Sequence, residues 1–256
     1  MPIPDARLKD VTITLQNGRY LFCFKFEVDR ELPKAKETPR RICAIDFGVD
    51  NLMAVTNNCG LTSILYKGGV MKSANQYYNK CIADIVSRQT LAIGKKFVPT
   101  EEYYAVTNKR NSQVDDCIKK YAKHFITWCV ENCIDTVVMG VNRFWKQGSD
   151  MSRKNNQKFV QLPISKLRDT IQYLCEWNGI CCVGQEESYT SKASFLDMDV
   201  IPVYGEEDPA REFSFSGKRR PYWYHGEHKK DGVRGLYISA DGTIVNSDLN
   251  GSVNIL

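Results

Sequence analysis

The sequence predicts an α/β fold, a mixed sheet flanked by helices, from three observations. Short apolar runs of strand length recur at 42–45, 134–140 and 180–183. Two strands at hairpin spacing follow the first run, and stretches of helical periodicity separate the later ones.

Taken in order, 11–15 alternates apolar and polar, Asn17-Gly18 is a hairpin turn, and 21–28 returns as a second strand. Two strands do not make a stable domain. Residues 1–40 are therefore expected to be the hairpin remnant of an N-terminal β domain plus a polar linker rich in Lys, Glu, Arg and Pro, and 41–256 the main domain. Ile42-Cys43-Ala44-Ile45 reads as a buried central strand ending in Asp46-Phe47-Gly48. The runs 52–56 and 62–66, around the turn Asn57-Asn58-Cys59-Gly60, complete three antiparallel strands.

Helices are expected over about 74–92 and 112–132; in the second, Val114, Cys117, Ile118, Tyr121, Phe125 and Cys129 share one face. A fourth strand at 134–140, a helix at 165–177 between Pro163 and Gly179, and a fifth strand at 180–183 follow. About 197–234, interrupted by Pro202, Pro209, Gly217, Pro221, Gly226 and Gly232, reads as an irregular insertion. Asp248 opens a final helix.

A length of 256 residues with 43% hydrophobic and 25% charged side chains suits a globular chain with a real core. The charge of +5 fits a polyanionic partner and many ordinary enzymes alike. No signal peptide or membrane span is legible, and ten scattered cysteines read as free thiols, so a cytoplasmic protein without membrane contact is expected. Cys129, Cys133, Cys181 and Cys182 read as core thiols rather than metal ligands, and His124 as structural.

Three acidic positions sit where an element meets a turn: Asp46, the pair Glu186 and Glu187, and Asp248. Phosphodiester hydrolysis uses two Mg²⁺ ions about 4 Å apart, held by several carboxylates, to activate water and stabilise the leaving oxygen. Each acid also has a plainer reading: Asp46 as a turn residue, Glu187 as a surface charge, Asp248 as a helix cap.

The stretch Ile45-Asp46-Phe47-Gly48-Val49-Asp50-Asn51-Leu52 resembles the opening motif of TnpB proteins, the insertion-sequence OrfB family of nucleases related to type V CRISPR effectors. Further stretches resemble the family's motifs in its order: Asn75 to Lys80, Lys109-Arg110-Asn111, Asn142 to Gln147, Asn155 to Gln161, Glu187-Ser188-Tyr189-Thr190-Ser191-Lys192 and Asp248-Leu249-Asn250-Gly251. Such an ordered set is far more specific than any one motif. The resemblance covers about residue 42 to the last. It implies an RNase H-like (RuvC) core with a five-stranded sheet and Mg²⁺- or Mn²⁺-dependent DNA cleavage. It also implies a single DNA strand in the site and guidance by RNA in intact members. Asp46 and Asp248 match the first and last catalytic aspartates.

Two departures matter. The family's usual Glu after the fourth strand is missing, where this sequence has Gly140-Val141-Asn142. A subset carries it before the Tyr-Thr-Ser-Lys motif instead, which points to Glu187 as the middle ligand, with Glu186 as the alternative. Many relatives also carry two C-x-x-C zinc pairs; the corresponding positions here are Ser194 and Asp197, then Ile238 and Asp241, so no structural zinc is expected.

Two basic and aromatic clusters suit phosphate contacts and base stacking. Lys146, Arg153, Lys154 and Lys158 lie near Trp145 and Phe159; Lys218, Arg219 and Arg220 precede Tyr222, Trp223 and Tyr224, and Lys192 adds a further cation. Solvated loops are the alternative. Family members are generally longer at the N-terminus, so a truncated member is expected. Besides the nuclease, a nuclease-inactive, repressor-like relative and an inert remnant remain open.

Overall fold

The computed structural model describes residues 6–28, 31, 33–34, 38–93, 97–141, 163–203, 205, 214–219 and 235–256. The chain divides into two compact units interleaved in sequence: 1–33 with 69–121, and 34–68 with 122–256.

In the first unit, β1 (Ala6–Gln16) and β2 (Arg19–Val28) pair antiparallel. Asn17 and Gly18 both take positive φ, 49° and 71°, as a two-residue turn of primed type requires. Helices α1 (Gly69–Ile93) and the first part of α2 (Glu101–Glu131) complete the unit. α2 begins well before residue 112, because Thr100 Oγ1 accepts from the Tyr103 N–H and Glu101 and Glu102 occupy the first turn. Arg110 Nε donates to Asn75 Oδ1 at 2.7 Å, and its guanidinium lies 5.7 Å from the Tyr78 ring centre. Two of the family-like motifs thus clasp α1 to α2.

The second unit is built on a five-stranded sheet, order β5-β4-β3-β6-β7. β3 (Ile42–Asp46), β4 (Asn51–Asn57) and β5 (Ile64–Lys67) are antiparallel neighbours; β6 (Thr136–Val141) and β7 (Cys181–Glu186) add parallel to β3. This is the RNase H-like arrangement. Central strands read as unbroken apolar runs because both faces are covered: Cys43, Ala44 and Ile45 have no exposed surface, and Leu52 to Val55 nearly none. Buried Asp135 anchors the sheet's start by accepting from the backbone N–H groups of Arg40 and Arg41.

Helix α3 (Ile164–Trp177) buries Ile164, Leu167, Ile171 and Cys175 at helical spacing and ends before Gly179 at φ 68°. The thiols of Cys43 and Cys129, and of Cys175 and Cys182, meet in this core. His124 Nδ1 lies 2.8 Å from the Tyr66 hydroxyl. Within the stretch read as an insertion and just beyond it, a small antiparallel sheet forms from β8 (Lys218–Arg219), β9 (Leu236–Ile238) and β10 (Ile244–Asn246), order β10-β9-β8. Strands of two or three residues carry no periodicity to detect. Helix α4 (Ser247–Ile255) ends the fold.

Candidate active site

Parallel pairing puts the carboxyl ends of β3, β6 and β7 on one edge of the sheet. Asp46 is the last residue of β3, Gly140 lies at the end of β6, and Glu187 follows β7. Helix α4 crosses this edge, held by Ser252, whose hydroxyl donates to Ala44 O at 3.0 Å and lies 2.9 Å from that of Thr56. Gly251 is where α4 meets Asp46: an added Cβ would stand 2.6 Å from Asp46 Oδ2.

The last helix is capped by Asn246, whose side chain accepts from the N–H groups of Asp248 and Leu249. Asp248 is thereby relieved of capping. Its carboxylate accepts from Asn51 Nδ2 at 2.6 Å and from Arg219 Nη2 at 3.2 Å. Asn250 has no exposed surface; it donates to Ala193 O at 2.7 Å and accepts from Phe195 N, while Asn254 donates to Thr190 O at 2.7 Å. Two amides thus tie α4 to the turn that follows Glu187.

The two glutamates differ in surroundings. Glu186 is exposed, its carboxylate taken up by the Ser188 hydroxyl and N–H. Glu187 is partly buried, and its Oε2 has no hydrogen-bond partner. That oxygen lies 2.5 Å from where a Cβ on Gly140 would stand. The absent side chain of Gly140 is what gives the carboxylate room.

Burial, then the negative charges of Glu187 and Asp248, push the Asp46 carboxyl up to about 8, against the pull of Arg219. Burial also raises Glu187, which Arg168 opposes and Glu186 reinforces. The Glu187 and Asp248 charges act on Asp46 at short range, Glu187 lies against Gly140, and Gly251 of α4 lies against Asp46, so the edge gathers Asp46, Glu187 and Asp248. Among the described residues, no three Asp, Glu, His or Cys side chains stand tightly enough to ligate one ion as they are. The surroundings nonetheless fit a hard divalent cation: mutually repelling carboxylates, two of them held back from ionising, and a buried oxygen left without a donor.

Arg168 and Asn51 escaped the sequence reading. Arg168 reaches from α3 to donate to Gly140 O and lies 5.1 Å from the Phe47 ring centre. Helical periodicity marks Leu167 and Ile171 as core but says nothing of the side chain beside them. Asn51 stood inside the opening motif without an assigned role.

Three of the candidate basic residues are described. Lys218 and Arg219 are exposed on β8, Arg219 also meeting Asp248; exposed Lys192 has its ammonium 5.7 Å from the Tyr189 ring centre. Lys146, Arg153, Lys154, Lys158 and Arg220 lie outside the described residues, as do Trp145, Phe159, Tyr222, Trp223 and Tyr224.

Around Ser194, Asp197 and Asp241, hydrogen bonds connect the chain. Asp197 Oδ2 accepts from Ala240 N at 3.0 Å, Ser194 Oγ from Asp197 N, and Asp241 from Thr243 N and its hydroxyl. Asp199 accepts from Ser194 N at 2.8 Å and from the Ser216 hydroxyl at 2.6 Å.

The family model of OrfB proteins of the IS605 type, described as "Probable transposase", matches residues 23–145, just under half of the chain. Over these residues the chain is similar to that transposase family. Solved structures similar to this chain include a Cas12f1–sgRNA–target DNA complex, with a TM-score of 0.55 at 14% identity over 96% of this chain and 55% of that one. A CRISPR–Cas12f ternary complex gives 0.58 at 14%, over 96% and 44%. A ternary complex of AacC2c1 with sgRNA and extended non-target DNA gives 0.50 at 9%, over 77% and 22%. At these identities the likeness is one of fold, and the chain spans about half the length of the Cas12f chains. No curated protein matches it. Among the described residues, no helix is long and apolar enough to cross a membrane.

Proposed function

We propose that this chain carries the metal-dependent DNA endonuclease centre of an RNA-guided, transposon-encoded TnpB-type protein, with Asp46, Glu187 and Asp248 as ligands of Mg²⁺ or Mn²⁺. The observation that carries the reading is the gathering of these three carboxylates at one sheet edge, with Asp46 pushed up to about 8 by burial and then by the charges of the other two. On this reading residues 41–256 are the nuclease domain and 1–40 belong to a β domain. The exposed apolar face of the hairpin, with Ile13, Leu15, Phe22 and Phe24, supports the second part, since an uncovered two-stranded sheet is marginal in water.

When bound, divalent cations supply an activated water and stabilise the leaving oxygen of a phosphodiester. The protein's part follows from its own residues. Asp46 and Glu187 concentrate negative charge in a partly buried edge that neutral ligands would not satisfy. Asn51 and Arg219 fix the Asp248 carboxylate from two sides. Lys192, Lys218 and Arg219 offer exposed cations beside the edge for the phosphates of a single DNA strand. The sgRNA and DNA of the Cas12f and AacC2c1 complexes support nucleic acid as the partner and RNA as the guide. The nuclease-inactive reading draws on the missing Glu of β6, and the contact of Glu187 with Gly140 weighs against it.

The experiment is cleavage of labelled single-stranded DNA by the purified chain with Mg²⁺ or Mn²⁺, with and without guide RNA, beside Asp46→Ala, Glu187→Ala and EDTA controls. Metal-dependent cutting lost in both variants is expected. Cutting that survives Glu187→Ala but not Asp46→Ala would transfer the middle role to Glu186. Silence of the wild type under all conditions would favour the repressor-like or remnant readings.

A further inference from the structure

Asn51 opens β4 and is only 6% exposed. The loop before it is tight: a Cβ on Gly48 would stand 2.8 Å from Asn51 O, and Gly68 N donates to Asp50 O at 2.8 Å. Because β4 runs antiparallel to β3, with Asp46 opposite Ala54, this loop delivers Asn51 beyond the carboxyl end of β3. It therefore stands at the acidic edge.

Its amide orientation is dictated by its neighbour. Nδ2 donates to Asp248 Oδ2 at 2.6 Å, whereas the flipped amide would set acceptor against acceptor. Oδ1 is left buried with no hydrogen-bond partner. The two polar atoms of an amide are about 2.2 Å apart, which keeps this orphan within about 5 Å of the Asp248 carboxylate. A buried acceptor left unsatisfied destabilises the fold, and native structures retain few of them without a use. The same edge holds a second orphaned oxygen, the carboxylate Oε2 of Glu187.

We propose that Asn51 is a further residue of the cation site, its Oδ1 supplying a neutral oxygen donor to the divalent ion while its N–H group orients Asp248. The inference rests on the cation-binding reading given above. Mg²⁺ and Mn²⁺ take oxygen ligands, amide carbonyls among them. A neutral oxygen completes a ligand set without adding a fourth negative charge to three that already repel one another.

The test is calorimetric titration of Mn²⁺ into the whole chain as wild type, Asp46→Ala, Asn51→Leu and Asn51→Asp, with thermal unfolding of each in EDTA and in Mn²⁺. Asp46→Ala abolishes binding. Asn51→Leu, which removes both polar atoms, weakens it about tenfold or more, as loss of a supporting residue does at metal sites. Asn51→Asp keeps an oxygen and loses only the N–H group, so it binds within about threefold of the wild type or more tightly. Its melting temperature falls in EDTA and rises more than the wild type's with Mn²⁺. Wild-type affinity in Asn51→Leu would overturn the proposal alone. Equal losses in both Asn51 variants would also overturn it, leaving the hold on Asp248 as the residue's only role. A wild type that binds no Mn²⁺ would overturn the cation reading and this proposal together. Should Asn51→Leu fail to fold, Asn51→Asp decides: an Mn²⁺-induced rise in melting temperature smaller than the wild type's overturns the proposal.

Discussion

Glu187 fills the room that Gly140 leaves: its Oε2 lies 2.5 Å from the place of a Gly140 Cβ, with Ile255 Cδ1 at 2.8 Å and Ile45 O at 3.3 Å. Two positions on adjacent parallel strands compete for one space, so a side chain at 140 and an inward carboxylate from 187 exclude each other. A glycine near the end of β6 is thus the steric complement of a glutamate after β7.

Gly140→Ala is expected to cost about 1–3 kcal/mol of stability, since the methyl meets the ends of two side chains that can shift. Mn²⁺ affinity falls much further, because the side chain displaced is Glu187. Gly140→Glu combined with Glu187→Gly returns a carboxylate from β6 and recovers part of that affinity. Calorimetry on the two variants checks the exchange, and a double variant no better than Glu187→Gly alone would argue against it.

Much of the framework was readable in the sequence because its strands are apolar runs of the right length and its helices are periodic. Ile42 to Asp46 and Ile164 to Trp177 are of that kind. What escaped was set by contact rather than by pattern. The start of α2 depends on the Thr100 hydroxyl, β8 to β10 are too short for a period, and Arg168 acts through a carbonyl on a strand far from it in sequence. At the acidic edge the candidate residues were legible by resemblance. Resemblance favoured Glu187 over Glu186, but the reason for their different surroundings was not legible, because it lies in which of two neighbours turns toward a glycine on the next strand.

The raised pKa of Asp46 links stability to pH with a definite sign. Its folded value of about 8 lies above the ordinary 3.8, so between those values the folded state binds more protons than the unfolded one. This residue's contribution is therefore most favourable at low pH and is lost as pH rises toward 8. In EDTA, the melting temperature of the wild type should fall relative to Asp46→Asn as pH rises through this window. Saturating Mn²⁺ at neutral pH should remove the difference in slope, since the ion stabilises the ionised carboxylate. Parallel pH profiles of the two proteins in EDTA would contradict the assignment.

Asn250 is the joint between α4 and the turn after Glu187. Its side chain has no exposed surface and meets Ala193 O and Phe195 N. Asn250→Ala removes both bonds and leaves the Phe195 N–H unpaired, while Ala193 O keeps its bond from Asn254 Nδ2, so the change is expected to cost about 1–3 kcal/mol, the cost of one buried group left unpaired. Asn250→Asp keeps the acceptor for Phe195 N but opposes a carboxylate to Ala193 O, so it should be no more stable than the alanine variant at neutral pH. Urea unfolding measures both, and a loss below about 0.5 kcal/mol for Asn250→Ala would show that the joint is dispensable.

Asp199 gives the opposite pH signature, in the segment that joins Ser194 and Ser216. Burial alone would raise its pKa, but hydrogen bonds from the Ser216 hydroxyl and from the N–H groups of Ser194 and Ser216 outweigh burial and hold it below the ordinary 3.8. A depressed carboxylate contributes stability that is present above its unfolded value and lost as pH falls through its folded one. Asp199→Asn should therefore lower the protection from hydrogen exchange of the Leu236–Ile238 amides at neutral pH, with the gap to the wild type closing as the medium is acidified below about 3.8. Adding EDTA at neutral pH should leave wild-type protection in this strand unchanged, because Asp197, Asp199 and Asp241 hold the segment through N–H and hydroxyl donors. A chelator-sensitive loss of protection at Leu236–Ile238 would mean that a metal, rather than these hydrogen bonds, organises the segment.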